Sequence, residues 1–296
     1  MDIQLLKVFY TTAQEGSISK AAQKLTFAQS NVTHKIQQLE ADLQTQLFYR
    51  HNRGITLTPT GHILLSYAEQ ILHIIQEARS AVGDSSVPSG PLLIGSVETT
   101  AAVRLPNLLT KYHMDYPAVD FSLITGPSEN HINAVLHYEL NGAFVAGPVE
   151  HPDLIAEDVV DEELVLVTSV SHPRVDSIQD VELRTFLVFF SSCSFRTRLN
   201  QLLQEEGIMP NKIMEFGSLE TILGCVGAGL GISLLPRSIV AESEQQGRIQ
   251  IHEIAGKHAI LKTVFIRRKD ALTAPAMSAF LSEMRAQFNH AAEGSR

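Results

Sequence analysis

Gln29, Ser30, Asn31, Thr33, His34 and Lys35 crowd one short polar stretch of the chain. Asn and Gln can grip adenine through two hydrogen bonds, Lys suits guanine or phosphate, and Ser and Thr adapt to either. Such a set works only on a helix that lays one face in a DNA major groove. Arg50 and Arg53 bracket a basic turn, Arg50-His51-Asn52-Arg53-Gly54, that suits phosphate or a minor groove. Taken alone, a polar helix face is equally what any solvated helix shows.

A second group of polar residues falls where strands end and helices begin. Ser96, Thr99 and Thr100 follow the apolar run Leu92-Leu93-Ile94, Ser128 follows 121–125, and Ser191, Ser192, Cys193 and Ser194 precede a helix that carries Arg196. Helix N-termini attract anions, and the carboxyl ends of strands in an open α/β sheet form the usual ligand crevice. Singly, each of these residues is also an ordinary N-cap; as a cluster they outline a pocket. Cys193 lies near a helix start and Arg196, which would lower its thiol pKa and permit redox sensing. A lone cysteine without a resolving partner is more commonly packing, and Cys225 reads as helix core.

Other chemistries find no support. His51, His62, His73, His113, His131, His137 and His151 make no H-x-x-x-H or H-E-x-x-H pair, and two cysteines cannot build a zinc site. No G-x-S-x-G elbow is present. Gly227-Ala228-Gly229-Leu230-Gly231 lacks the G-x-G-x-x-G spacing and follows a helix, so it reads as a tight turn. The sequence therefore predicts no catalytic residue, no metal and no cofactor, and a protein that is not an enzyme.

The elements that must hold these groups follow from periodicity. Leu5, Leu6, Phe9 and Ala13 mark a helix over 4–14, stopped at Gly16. Ser17 caps a second over 18–25, with half a capping box because Lys20 stands where Glu or Gln belongs. A third runs over 29–42 on Val32, Ile36 and Leu39. Leu47-Phe48 and Ile55-Thr56-Leu57 make a hairpin wing. A long helix opens at Thr58-Pro59 and ends near 82, its broad apolar face suiting dimerisation or a linker. Residues 83–91 are Gly-, Ser- and Pro-rich, the clearest linker. Beyond it, strands over 92–96, 120–125, 142–146, 163–168, 186–190, 213–216, 231–235 and 262–267 alternate with helices over 100–115, 129–139, 194–206, 219–228 and 275–290. That order predicts α/β with largely parallel sheets.

Charge is divided unevenly over the 296 residues. The first sixty hold six Lys or Arg against four acids, whereas the remainder holds 17 against 28. A mildly basic head on an acidic body fits a DNA-binding module joined to a solvated domain. No apolar run reaches the roughly 20 residues of a membrane span, and the N-terminus lacks signal-peptide character. The expected location is the cytoplasm.

The stretch from Phe9 to Leu25, with Gln29-Ser30-Asn31-Val32-Thr33, Leu39-Glu40, Leu47-Phe48, Arg50, Leu57-Thr58-Pro59 and Gly61, resembles the opening of LysR-type transcriptional regulators. Leu105-Pro106, Tyr116-Pro117, His172-Pro173 and the run from Gly227 to Pro236 are similar to the effector domain of that family. The resemblance implies a winged helix-turn-helix over 1–60, a linker or dimerisation helix and hinge over 61–90, and a two-lobed effector domain over 91–296 like a periplasmic solute-binding protein. Lobe I would comprise about 91–162 and 264–296, lobe II about 163–263. It further implies a homodimer or homotetramer on double-stranded promoter DNA, a small-molecule effector between the lobes, here an anionic metabolite, and RNA polymerase as a possible contact. His34 stands where the family commonly has Arg or Gln.

Overall fold

In the computed structural model, residues 2–51, 54–82, 87–181, 184–189, 194–254, 256–271 and 273–293 are described. The chain divides into two compact units, one of Met1–Ser85 with His137–Glu139, and one of Ser86–Leu136 with Leu140–Arg296.

In the first unit, α1 (Ile3–Glu15) begins where Asp2 Oδ1 accepts from the Leu5 N–H at 2.8 Å. It ends at Gly16, whose φ of 57° is cheap only without a Cβ. α2 (Ile18–Leu25) starts at Ser17, whose Oγ accepts from the Lys20 N–H at 3.4 Å. The small buried residues Ala21 and Ala22 let its neighbours approach closely. α3 (Gln29–Leu43) presses Val32, Ile36 and Leu39 onto Leu5, Leu6 and Phe9. The antiparallel hairpin β1 (Phe48–His51) and β2 (Gly54–Leu57) joins this core through Phe48, 5.3 Å from Phe9 between ring centroids. Glu40 of α3 accepts the Leu47 and Phe48 N–H groups at 2.8 and 3.3 Å. α4 (Pro59–Val82) opens at Gly61, where any Cβ would run into the Leu47 carbonyl oxygen.

The second unit has two lobes. In the first, β3 (Gly90–Ser96) lies parallel between β4 (Val119–Thr125) and β5 (Gly142–Ala146). The connections are α5 (Glu98–Val103), α6 (Leu105–Asp115) and α7 (Ser128–Leu136). β6 (Leu154–Thr168) then leads into the second lobe. There β7 (Thr185–Phe189) pairs in parallel with β8 (Lys212–Phe216). α8 (Ser194–Glu205) and α9 (Leu219–Gly227) flank them. β9 (Ser233–Pro236), α10 (Arg237–Gln245) and β10 (Gln250–Glu253) complete the lobe. β11 (Ile260–Arg268) returns antiparallel to both β5 and β6, and α11 (Pro275–Glu293) covers the first lobe.

Several expectations need correction. The sheets are mixed, not largely parallel: β11 opposes β5 and β6, while β9 and β10 oppose β6. The helix expected over 100–115 is two helices that meet at Arg104. The strand expected at 163 begins at Leu154; its first half, Leu154 to Glu163, mixes Ile155, Val159 and Val160 with five acids and so lacks the long apolar run of its second half. α10 and β10 had no clear periodic signal. Gly90 and Pro91 open β3 rather than closing the linker, and 83–86 lie outside the described residues. The expected lobe boundaries, 162/163 and 263/264, fall inside β6 and β11, so two continuous strands carry the chain across.

Each lobe has packing on both sides of its sheet. In the first, Phe144, Phe265 and Phe280 gather with Tyr112 on one side, and Val135, Ala143 and Val145 on the other. In the second, Leu166, Phe186 and Leu199 oppose Val167, Leu187 and Val226. The glycine run after α9 is a turn: the Gly229 and Leu230 N–H groups donate to the Val226 and Cys225 carbonyls, and Gly229 has φ 78°.

Candidate DNA interface and ligand cleft

Successive helical residues are rotated by about 100°. With Val32, Ile36 and Leu39 buried, the opposite face of α3 centres on Ser30, His34 and Gln37, all exposed. Gln29 and Asn31, near the helix start, are exposed as well. Two members of the expected reading set are engaged inside the protein. The Thr33 hydroxyl donates to the Gln29 carbonyl at 3.0 Å, and Lys35 Nζ donates to Gln4 Oε1 at 2.9 Å. Gln37 lies two residues beyond the polar stretch that ends at Lys35 and was not among the expected readers; the i, i+4, i+7 spacing from Ser30 would have found it. Arg50 is exposed on the wing, 3.9 Å from Glu40. Arg53 lies outside the described residues.

The second unit contains a cavity of about 210 Å3. Val97, Thr99, Thr125 and Ser128 line it from the first lobe, Phe189, Ser194, Phe195 and Phe216 from the second, and Glu162, Leu261 and Thr263 from the crossing strands. Of the expected ligand residues, the structure brings Thr99, Ser128 and Ser194 to this wall. Ser96 and Thr100 are buried and do not line it; the Ser96 hydroxyl donates to the Val97 carbonyl at 2.9 Å. Arg196 is spent on Glu215 at 2.7 Å. Ser191, Ser192 and Cys193 lie outside the described residues. Sequence reasoning missed Thr125, Thr263, Glu162 and the three phenylalanines. Thr125 ends a strand and was findable; the aromatic residues have no sequence signal that separates lining from core.

Two buried groups support the cleft. Glu162 accepts Arg104 Nε at 2.9 Å and Nη2 at 3.0 Å, and Ser238 Oγ donates to it at 2.9 Å. Arg104 belongs to the first lobe and Ser238 to the second, so one carboxylate binds both to a crossing strand. The bond from Glu162 raises the Arg104 guanidinium pKa further above its usual range. His131, behind Gly126, has Nε2 3.0 Å from the Ser96 carbonyl. Burial is the largest influence on it and lowers its pKa, which favours the neutral ring. Its ring occupies the space that a Cβ at Gly95 would need. Among the described residues no group of three metal-ligating side chains occurs, and no helix is long and apolar enough to cross a membrane.

Residues 3–62 match the bacterial regulatory helix-turn-helix protein, lysR family, and 85–289 match the LysR substrate binding domain. The chain belongs to the LysR family of transcriptional regulators. The HTH-type transcriptional regulator GltR of Bacillus subtilis (strain 168) is 67% identical over 288 residues, 97% of each chain. YofA of Bacillus velezensis is 46% identical over 281 residues, 95% of this chain and 96% of its own. Full-length CbnR complexed with its target DNA superposes with a TM-score of 0.69 at 25% identity, covering 97% of this chain and all of that one. A full-length OxyR variant from Pseudomonas aeruginosa has the same fold, with a TM-score of 0.74 at 22% identity over 96% and 95% of the two chains. This LysR-type protein is thus a DNA-binding transcription regulator with a substrate-binding domain, and not an enzyme.

Proposed function

We propose that the protein reads a specific promoter sequence with α3 and the wing, under control of a small molecule held between the two lobes. The observation that carries the reading is the cavity walled by both lobes and both crossing strands, in a unit distinct from the helix-turn-helix. Gln29, Ser30, Asn31 and His34 are the proposed base readers, joined by Gln37. Thr33 and Lys35 act at the flank of that face, and Arg50 and Arg53 hold phosphate. Thr99, Ser128 and Ser194 supply hydroxyls to the effector. An anionic metabolite suits a cavity bordered by the starts of α7 and α8. Binding shifts the balance between lobe arrangements, so the effector works only through unequal affinity for them.

The protein acts as a homodimer or homotetramer. Ile63, Tyr67 and Ile74 leave an exposed apolar stripe along α4 at helical spacing, 60%, 58% and 43% exposed. A face of that kind is suited to a second copy. A promoter partner fits a cytoplasmic protein, with a bound tetramer within reach of RNA polymerase.

A gel-shift titration on the DNA flanking its own gene tests the regulator reading. A discrete complex that resists random competitor at moderate salt is expected; shifts equal for specific and random DNA would overturn it.

A further inference from the structure

The walls of the cleft restrict what can enter it. The wall is predominantly apolar, with Phe189, Phe195, Phe216, Val97 and Leu261 its largest apolar members. Water against such surface is readily displaced by apolar groups, with a gain proportional to the area covered. At about 210 Å3 the cavity lies below the roughly 300–1,000 Å3 of drug-sized ligand sites. A compact ligand fills it.

The charges near the cleft are already satisfied. The lining acids are Glu98, which is exposed, and Glu162. Glu162 is 6% exposed and takes three hydrogen bonds from Arg104 and Ser238. It is therefore neutralised in place and does not call for a ligand cation. Arg104 is committed to that bond, and Arg196 to Glu215. Among the described residues no Lys or Arg lines the cavity. A ligand with two negative charges would bring the second against an apolar wall where no Lys or Arg stands among the described lining residues, which is costly. One polar head can be met by the hydroxyls of Thr99, Thr125, Ser194 and Thr263, and by the proton of Ser128, whose Oγ already accepts the Ala146 N–H at 3.0 Å.

We infer that the cleft selects a compact, predominantly apolar molecule with one polar head and no more than a single charge. This inference rests on the proposal that the cleft is the effector site, and it excludes dicarboxylates and other multiply charged metabolites as effectors.

Calorimetric titration of the full-length protein with matched probes tests it. The probes are benzoate and 4-methylpentanoate, their amides, and the dicarboxylates phthalate and glutarate. Each is repeated on Thr99→Glu, which adds a charge to the wall without removing core, and on Phe216→Ser. The monoacids or amides are expected to bind at least tenfold more tightly than the dicarboxylates. Thr99→Glu should weaken the monoacid more than its amide, and Phe216→Ser should weaken both. Dicarboxylates binding as tightly as monoacids, and losing affinity in the same variants, would overturn the ligand class while leaving the cleft as effector site. Binding of any probe that neither variant alters, or no binding by any probe, would overturn the cleft reading and this inference with it.

Discussion

Single side chains in this protein divide into those that touch a partner and those that hold others in place. Asn31→Ala should cost about 1–3 kcal/mol on the specific site and little on random DNA, because a lost base contact carries sequence information. Arg50→Ala should weaken binding to all sequences and reduce the salt slope by about one, since a phosphate contact is sequence-blind. Fluorescence anisotropy against salt measures both; equal losses for Asn31→Ala on the two DNAs would remove it from the base readers. Tyr112 is a holding residue. Its buried hydroxyl donates to the Ala276 carbonyl at 2.7 Å, joining α6 to α11, and its ring stands edge-on to Phe280. Tyr112→Phe removes that second donor to the carbonyl and should cost about 1 kcal/mol in denaturant unfolding of the second unit. At this scale residue type suggested base reading for Gln29 and Asn31, and both are exposed at the start of α3. It was silent on pairings set by tertiary approach. Nothing near Lys35 announces that Gln4 takes up its ammonium, whereas the bond from Thr33 to the Gln29 carbonyl is the ordinary i−4 back-bond of a helical threonine.

Among elements, legibility followed amphipathic periodicity. α1 to α4 were readable because each buries one stripe and begins or ends with a recognisable device, such as Asp2, Gly16, Ser17 or Gly61. The first half of β6 was not, because it alternates between a wet face and a packed one and so lacks the continuous apolar run of a buried strand. The joint between α5 and α6 was legible in the sequence but passed over: Pro106, which lacks an N–H, sits in the first turn of α6, and Arg104 at the joint reaches Glu162, a partner 58 residues away. Gly61 offers an element-level test. Gly61→Ala must push α4 off the Leu47 carbonyl, so it should reduce specific DNA affinity by changing how the wing is held. Retained α-helical circular dichroism with DNA binding lowered at least several-fold is the expected pattern; unchanged binding would show that the wing tolerates the shift.

At the scale of the molecule, self-association and acid stability are the quantities to measure. Replacing Tyr67 with Glu puts a charge in the exposed stripe of α4 and should shift sedimentation toward the monomer at micromolar concentration, with the fold retained. His131 and His252 both have pKa values lowered, chiefly by burial. The unfolded chain therefore binds protons at a higher pH than the folded one, so stability falls as pH drops below the ordinary histidine value of about 6.5. Melting temperatures of the wild type across roughly pH 7.5 to 5 should decline, and a His131→Asn variant should decline less steeply. The family resemblance made the two-unit organisation legible, whereas the cleft lining was not: Phe189, Phe195 and Phe216 come from three separate elements that meet only in the folded lobe. The sealed trio of Arg104, Glu162 and Ser238 carries a further consequence. On the proposed reading of the cleft, the groups left to meet a ligand are chiefly its uncharged wall residues, because Glu162, although it lines the cavity, is already held by Arg104 and Ser238. Neutral exchanges in the lining can thus retune taste one side chain at a time, while the joint stays intact, so new chemical signals are open to descendants of this protein without a passage through a broken sensor.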